Sequence, residues 1–355
     1  MNYPRRFPLR TAAALTALFA LALSAAPLRG VAAQERAAQP PAGPNGKIIF
    51  QSNRGGDWSD IYVVNADGRH ETRLTDDPAD DSSAVWSPDG TRIAFVSSRR
   101  GTYEIYLMDA DGSNQRPLRE TAVETVEVEW SPDGKMLTYE VRAGFDVNDI
   151  YVVEAVAPGG GDSTAAPVNV TSGYGGFATQ ASWSPGGTQL VFRGGSDLYI
   201  VDASGNNLTQ ITNTPNDPES DPRWAANGLV AYEGIRNYER AIYVKSADGS
   251  PAETKVSGTV GSYGGAVWSP DGSRLAFVAT SGAVYSVSPS GAGLTLLTDM
   301  AGTSGDPFWS PDGQKVGFRN DGDLHVVNAD GTSRRATNYT KTRRAFEQGN
   351  SWQKV

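Results

Sequence analysis

No cysteine occurs among the 355 residues, and histidine occurs only twice. The first absence excludes a disulfide framework, a thiol nucleophile, a cysteine-ligated metal and a lipid-modified amino-terminal cysteine. The second leaves His70 and His325 with no partner at metal-ligand spacing, so no transition-metal site is expected. No Gly-x-Ser-x-Gly elbow is present, and Gly159-Gly160-Gly161 and Gly194-Gly195 do not join a strand to a helix, so they read as turns rather than phosphate cradles. Helical periodicity is nearly missing, and the longest apolar run, Thr11 to Leu23, is short for a membrane span.

That run follows Arg5, Arg6 and Arg10 and precedes small residues, the order of a secretory signal peptide. Cleavage after Ala33 (Val31-Ala32-Ala33) is expected, with Ala26 as the alternative; Arg5-Arg6 also echoes a twin-arginine signal. Removing residues 1–33 takes away four Arg and no acid, leaving 27 basic against 40 acidic residues, a net charge of about −13. A chain this acidic is expected to bind neither nucleic acid nor an anionic membrane. A periplasmic or secreted monomer without a membrane span is expected, with a flexible leader over 34–45.

What the chain has in quantity is turn residues, 40 Gly and 21 Pro, set between short aromatic strands. Trp86-Ser87-Pro88-Asp89-Gly90 opens a unit that recurs at Trp130, Trp183, Trp224, Trp268 and Trp309, and Trp352 repeats the tryptophan alone, at separations of 41 to 53 residues. Pro pre-sets φ in the turn and Gly supplies positive φ. Ser184-Pro185-Gly186-Gly187 and Ala225-Ala226-Asn227-Gly228 vary the turn but keep the glycine. A second strand begins at Ile48, Ile93, Leu137, Leu190, Leu229, Leu275 and Val316, and a third at Ile61, Ile105, Ile150, Leu198, Ile242, Val284 and Leu324. Each family has seven members. His325 takes the place of a third-strand Tyr and reads as a packing residue.

Such a period means an array of four-stranded antiparallel units. The expected class is all-β, a seven-bladed β-propeller over 46–355. Unit one lacks its own opening Trp, so Trp352 should complete that blade and close the ring, removing free edges. In unit three, 154–167 reads as a surface loop. The acid before the third strand, at Asp60, Glu104, Asp149, Asp197 and Asp323, reads as structural because it can accept turn hydrogen bonds.

The series Trp-Ser-Pro-Asp-Gly, Ile-Ala-Phe, Asp/Glu-Ile-Tyr-Val, Asn-Ala-Asp-Gly, Leu-Thr resembles the WD40-like (PD40) repeat of TolB-type β-propellers over about 46–355. The resemblance implies a propeller that binds an envelope protein, a peptide or a small ligand, and carries a six-bladed ring as the alternative. The α/β domain that precedes the TolB propeller has no counterpart in the short leader.

The segments leading into each Trp strand should rim one mouth of the central channel. Their acids Asp76, Asp77, Asp80, Asp81, Glu124, Asp217, Glu219, Asp221, Asp299 and Asp306 would form a negative ring, with Arg343 and Arg344 as a basic sector. A cationic ligand would be drawn to it. No cofactor is expected, although these loops offer oxygen ligands for calcium without a twelve-residue calcium loop. With no nucleophile or metal set assembled, the expected function is a non-enzymatic binding scaffold; the alternative is an enzyme acting on a glycan or peptide at the channel mouth.

Overall fold

The computed structural model describes residues 45–118, 124–142, 148–156, 163–214, 216–262, 264–300, 302, 304–340 and 347–354. The expected signal peptide, most of the expected leader, residues 157–162 of the unit-three loop, Arg343 and Arg344 lie outside them. The described residues form 28 strands in seven four-stranded antiparallel sheets, so the ring has seven blades rather than six. Among them no helix is long and apolar enough to cross a membrane.

Blades two to seven open on the inner strands Asp81–Trp86, Glu124–Trp130, Ala178–Trp183, Glu219–Trp224, Val267–Trp268 and Ser304–Trp309. Blade one combines the carboxyl-terminal strand Glu347–Lys354 with Asn45–Ser52, Asp60–Asn65 and Thr72–Arg73, pairing Trp352 with Ile48. The ring closes as the lone tryptophan predicts.

Local chemistry repeats with the sequence. In the Ser-Pro-Asp-Gly turns the serine hydroxyl donates to the aspartate at 2.6 Å, in Ser87–Asp89, Ser131–Asp133, Ser269–Asp271 and Ser310–Asp312. Gly90 takes φ 68°, and a Cβ there would stand 2.2 Å from the Lys354 carbonyl oxygen, so this turn seats the closing strand. The Thr or Ser after the fourth strand accepts the third strand's backbone N–H, as in Thr75 from Ile61, Thr171 from Ile150, Thr212 from Leu198 and Thr340 from Leu324. The acids before the third strand tie it outward: Asp60 pairs with Arg73 at 2.7 Å, Asp149 accepts from Thr171 and Asp323 from Asn338.

One aromatic pair links the second and third strands of every blade. Phe50–Tyr62, Phe95–Tyr106, Tyr139–Tyr151, Phe192–Tyr199, Tyr232–Tyr243, Phe277–Tyr285 and Phe318–His325 have ring centroids 5.6–5.9 Å apart. His325 therefore packs as the sequence predicts. The core lies between blades. Ile49, Ile61 and Val63 of blade one pack with Trp86, Phe95 and Met108 of blade two, and Tyr62 and Val64 of blade one pack with Leu324 and Val326 of blade seven.

Candidate functional site

Each inner strand ends its sheet with one neighbour only, so its other edge is unpaired. Five of these strands carry a β-bulge three residues before the Trp. Ser83, Glu127, Gln180, Asp221 and Asp306 take φ between 49° and 58°, and the strand register slips at each. Left-handed φ costs a residue with a Cβ on the order of 1 kcal/mol. Bulges re-aim side chains, and here they mark one level of the channel wall.

A backbone N–H freed by a bulge needs an acceptor. The preceding blade supplies it. Gln51 accepts from Ser83 N at 3.0 Å, Glu140 from Gln180 N, and Gln180 from Asp221 N at 3.1 Å; Glu233 likewise accepts from Gly264 N at 3.0 Å, ahead of the unbulged strand Val267–Trp268. Glu140 also accepts from Thr179 at 2.5 Å.

Around this level lies a cavity of about 620 Å³. Its wall carries Glu127, Glu129, Glu140, Asp221 and Arg223, the ion pair Asp306–Arg319, and the apolar Val85, Val267, Pro307 and Phe308. Glu129 is half-buried, and the surface it keeps lines the cavity. Burial pushes its carboxyl up to about 7, against the pull of Arg223 and with repulsion from Glu127 adding to the rise. Burial likewise raises Glu140 to about 7, repulsion from Glu127 adds to it, and the hydrogen bonds from Thr179 and Gln180 oppose it. Among the described residues, neither the Glu129 carboxylate nor the Arg223 guanidinium has a hydrogen bond or an ion pair, although each feels the other's charge.

Only two of the acids predicted for the rim, Asp221 and Asp306, line this cavity. Five others are tied down nearer the strand starts. Asp81 pairs with Arg99 at 2.7 Å, which also reaches Asp77 at 3.9 Å; Glu124 pairs with Arg142 at 3.2 Å and Glu219 with Arg236 at 2.6 Å. Asp80 accepts from Ser59 N at 3.0 Å and Tyr103 at 3.3 Å. Asp306 pairs with Arg319 at 3.2 Å. Asp76 and Asp299 are exposed, and Asp217 is half-buried in the approach to Glu219. Among the described residues no three His, Asp or Glu side chains gather as metal ligands.

The sequence analysis passed over Glu127, Glu129, Glu140 and Arg223. The position before each Trp reads Val85, Glu129, Ser182, Arg223, Val267, Phe308 and Ser351, and two charges in a column of small or apolar residues are the signal that would have found Glu129 and Arg223.

The TolB beta propeller domain family (PD40) matches residues 18–155 and 102–344. The chain belongs to this family. The crystal structure of TolB from Acinetobacter baumannii is similar at 16% identity, TM-score 0.54, over 87% of this chain and 66% of that one. An oligogalacturonate lyase from Vibrio parahaemolyticus is similar at 13% identity, TM-score 0.62, over 79% of this chain and 86% of that one. A curated relative, the uncharacterized peptidase YuxL of Bacillus subtilis (strain 168), is 35% identical over 66 residues, 18% of this chain and 10% of that protein. The chain thus spans about a tenth of the length of the curated relative it matches.

These likenesses overturn the expectation that the chain is not an enzyme. That expectation rested on a missing nucleophile elbow and metal cluster, yet the ring is shared with a lyase over most of the lyase's length, and the local relative carries a peptidase name. The ring alone therefore does not separate this propeller from enzyme propellers.

Proposed function

We propose that this propeller is an exported enzyme that takes a glycan or peptide into its channel mouth, with Glu129 as the group that moves a proton. The carrying observation is the placement of Glu129: a half-buried carboxyl without a partner that lines the cavity, with the unpaired Arg223 in electrostatic reach. A carboxyl held near 7 exists in both protonation states at neutral pH, so it can give a proton to a leaving group or take one from an attacking water. Arg223 would hold negative charge that develops on the substrate. Glu140, tied to blade four through Thr179 and Gln180, fixes the neighbouring wall. The lyase and peptidase names among the similar proteins support an enzyme reading, and the acidic channel gives it a place.

The test is turnover by the purified chain lacking residues 1–33 on panels of oligosaccharides and peptides, followed by mass spectrometry. Glu129→Gln should lower the rate by about 100-fold or more, as loss of an acid–base group does. No product from either panel, or a Glu129→Gln variant as fast as the parent, would sink the proposal.

A further inference from the structure

The turns that join first strand to second, and third to fourth, lie at the end of the ring opposite the segments that lead into each Trp strand. At that end, between blades six and seven, is a second cavity of about 420 Å³, within the range that encloses a small ligand. Arg274 lines it from blade six, and Gln314, Lys315, Asn328 and Asp330 line it from blade seven.

Its charge departs from the same place in other blades. The first residue of the second strand stands opposite the last residue of the third, and this pair is Arg92–Asp109 in blade two, Met136–Glu154 in blade three and Gln189–Asp202 in blade four. Each of those pairs holds an acid. In blade seven the pair is Lys315–Asn328, a cation and a neutral amide, and the contact that Lys315 Nζ makes is with Asn328 Oδ1 at 3.4 Å. Arg274 is half-buried and held by one nitrogen: Nη2 donates to Ser286 Oγ at 2.7 Å and to Gly293 O and Thr295 Oγ1, each at 3.2 Å. Among the described residues its Nη1 makes no hydrogen bond, and neither Arg274 nor Lys315 has a carboxylate partner. In a chain of net charge −9, where Arg73, Arg99 and Arg236 meet acids at 2.7, 2.7 and 2.6 Å, two cations without an acid in one cavity leave donors for something else. A guanidinium already fixed by its neighbours gives up little freedom when it takes an oxyanion.

We propose that this cavity binds the oxyanion of a small hydroxylated molecule, a carboxylate or a phosphate, with the anion on Arg274 Nη1 and Lys315 Nζ and hydroxyl groups on the Gln314 amide and the Asp330 carboxylate. Two cations against Asp330 leave the wall net positive, which favours an anion over a neutral sugar. Asp330 accepts from Thr332 N at 2.9 Å and Thr332 Oγ1 at 2.6 Å, both on Oδ1, so its Oδ2 is left for a hydroxyl. The Gln314 side-chain amide makes no hydrogen bond among the described residues and offers both a donor and an acceptor. The site lies apart from the channel and stands whether or not the channel is catalytic.

The experiment is calorimetric titration of the protein in low-salt buffer with glucuronate, glucose phosphate and glucose. At least one of the two anions should bind about 10-fold or more tightly than glucose, the worth of a charge-assisted hydrogen bond, and the tighter of the two identifies the oxyanion. Its affinity should fall as salt is added. Lys315→Gln combined with Asn328→Asp installs the pair that blade four already carries, so the thermal melt should stay cooperative while the preference for the anion disappears. Should the double variant fail to fold, Lys315→Gln alone takes its place with the preference expected to drop about 10-fold. Neither anion binding better than glucose, or a preference unchanged in the variant that folds, would overturn the proposal.

Discussion

Gln180 and Asp221, the bulge residues of adjacent blades, exchange two hydrogen bonds: Gln180 Nε2 donates to Asp221 Oδ1 at 2.6 Å, and Asp221 N donates to Gln180 Oε1 at 3.1 Å. Each lies at left-handed φ, 58° and 49°, so the contact is made by two residues whose backbone opposes it. The bulge turns a strand N–H away from its sheet, and the neighbouring blade accepts it. With the same device at Gln51–Ser83 and Glu140–Gln180, the blades are joined near the axis by polar links as well as by the apolar packing farther out.

Removing one link separates its two contributions. Gln180→Ala keeps the unfavourable φ and strands the Asp221 N–H, so we expect a loss of about 1–3 kcal/mol in urea unfolding. Gln180→Gly loses the same bonds but relieves the backbone, and in the fold it should recover on the order of 1 kcal/mol relative to Ala. A glycine variant less stable than the alanine variant would show that the positive φ carries no strain.

Ring closure gives a second expectation. The last strand pairs with Asn45–Ser52, buries Trp352 against Phe308 at 6.2 Å and donates Gln353 Nε2 to the Gly90 carbonyl at 2.8 Å. Deleting residues 349–355 would expose an unpaired edge and leave the Trp352 site open. Light scattering should show association, or the melting temperature should drop well below the parent's. Trp352→Ala alone should cost about 3–5 kcal/mol. A truncated protein that is monomeric and melts like the parent would refute closure as a source of stability.

The blades were legible because their signals are local: Trp and its turn, Phe or Tyr directly opposite Tyr on the next strand, and Thr at the end of the fourth strand all lie within one unit. The lumen was not. Loop acids were assigned to the mouth from their order along the chain, but pairing depends on arginines such as Arg99 and Arg236, 17 or 18 residues later on the far side of a hairpin. Glu127 and Glu129 look like the solvent face of an alternating strand in Glu124–Trp130; only the bulge at Glu127 and the neighbouring blades turn them to the channel. Glu129 of blade three and Arg223 of blade five show only as two charges in the position before Trp, and nothing local to either unit says that both reach the same cavity.

His325 tests the aromatic ladder. It stacks on Phe318 at 5.7 Å where six other blades have Tyr, it is 5% exposed, and its Nδ1 finds no partner. Burial lowers its pKa, opposed by Asp323 and Asp321, so the fold prefers the neutral ring. The unfolded chain then binds a proton more readily, and this contribution to stability is present above about pH 6.5 and lost as pH falls. His325→Tyr removes the titration and restores the common pair. We expect it to raise stability by roughly 1 kcal/mol more at pH 5 than at pH 8. An equal effect at both pH values would refute the buried neutral histidine.

Glu129 and Glu140 act in the opposite sense. Both are raised from 4.5 to about 7, chiefly by burial, so between those values the folded state keeps protons that the unfolded chain has released. Their contribution to stability is present below about pH 4.5, falls as pH rises and levels off above about 7. The turn aspartates Asp89, Asp133 and Asp271 pull the other way. Burial alone would raise them, but hydrogen bonds from serine hydroxyls and turn N–H groups outweigh it and lower them below 3.8, so their contribution is lost only in acid. Glu140→Gln keeps an oxygen for the Gln180 N–H and removes the titration. Its stability should therefore change less than the parent's between pH 5 and 7 and exceed it at pH 8, read from urea midpoints at constant salt. Glu129→Gln should behave alike, without any bond to preserve. A parent protein whose midpoint is as steep after both substitutions as before would place the titrating groups elsewhere and remove the support that a near-neutral Glu129 lends to proton transfer in the channel.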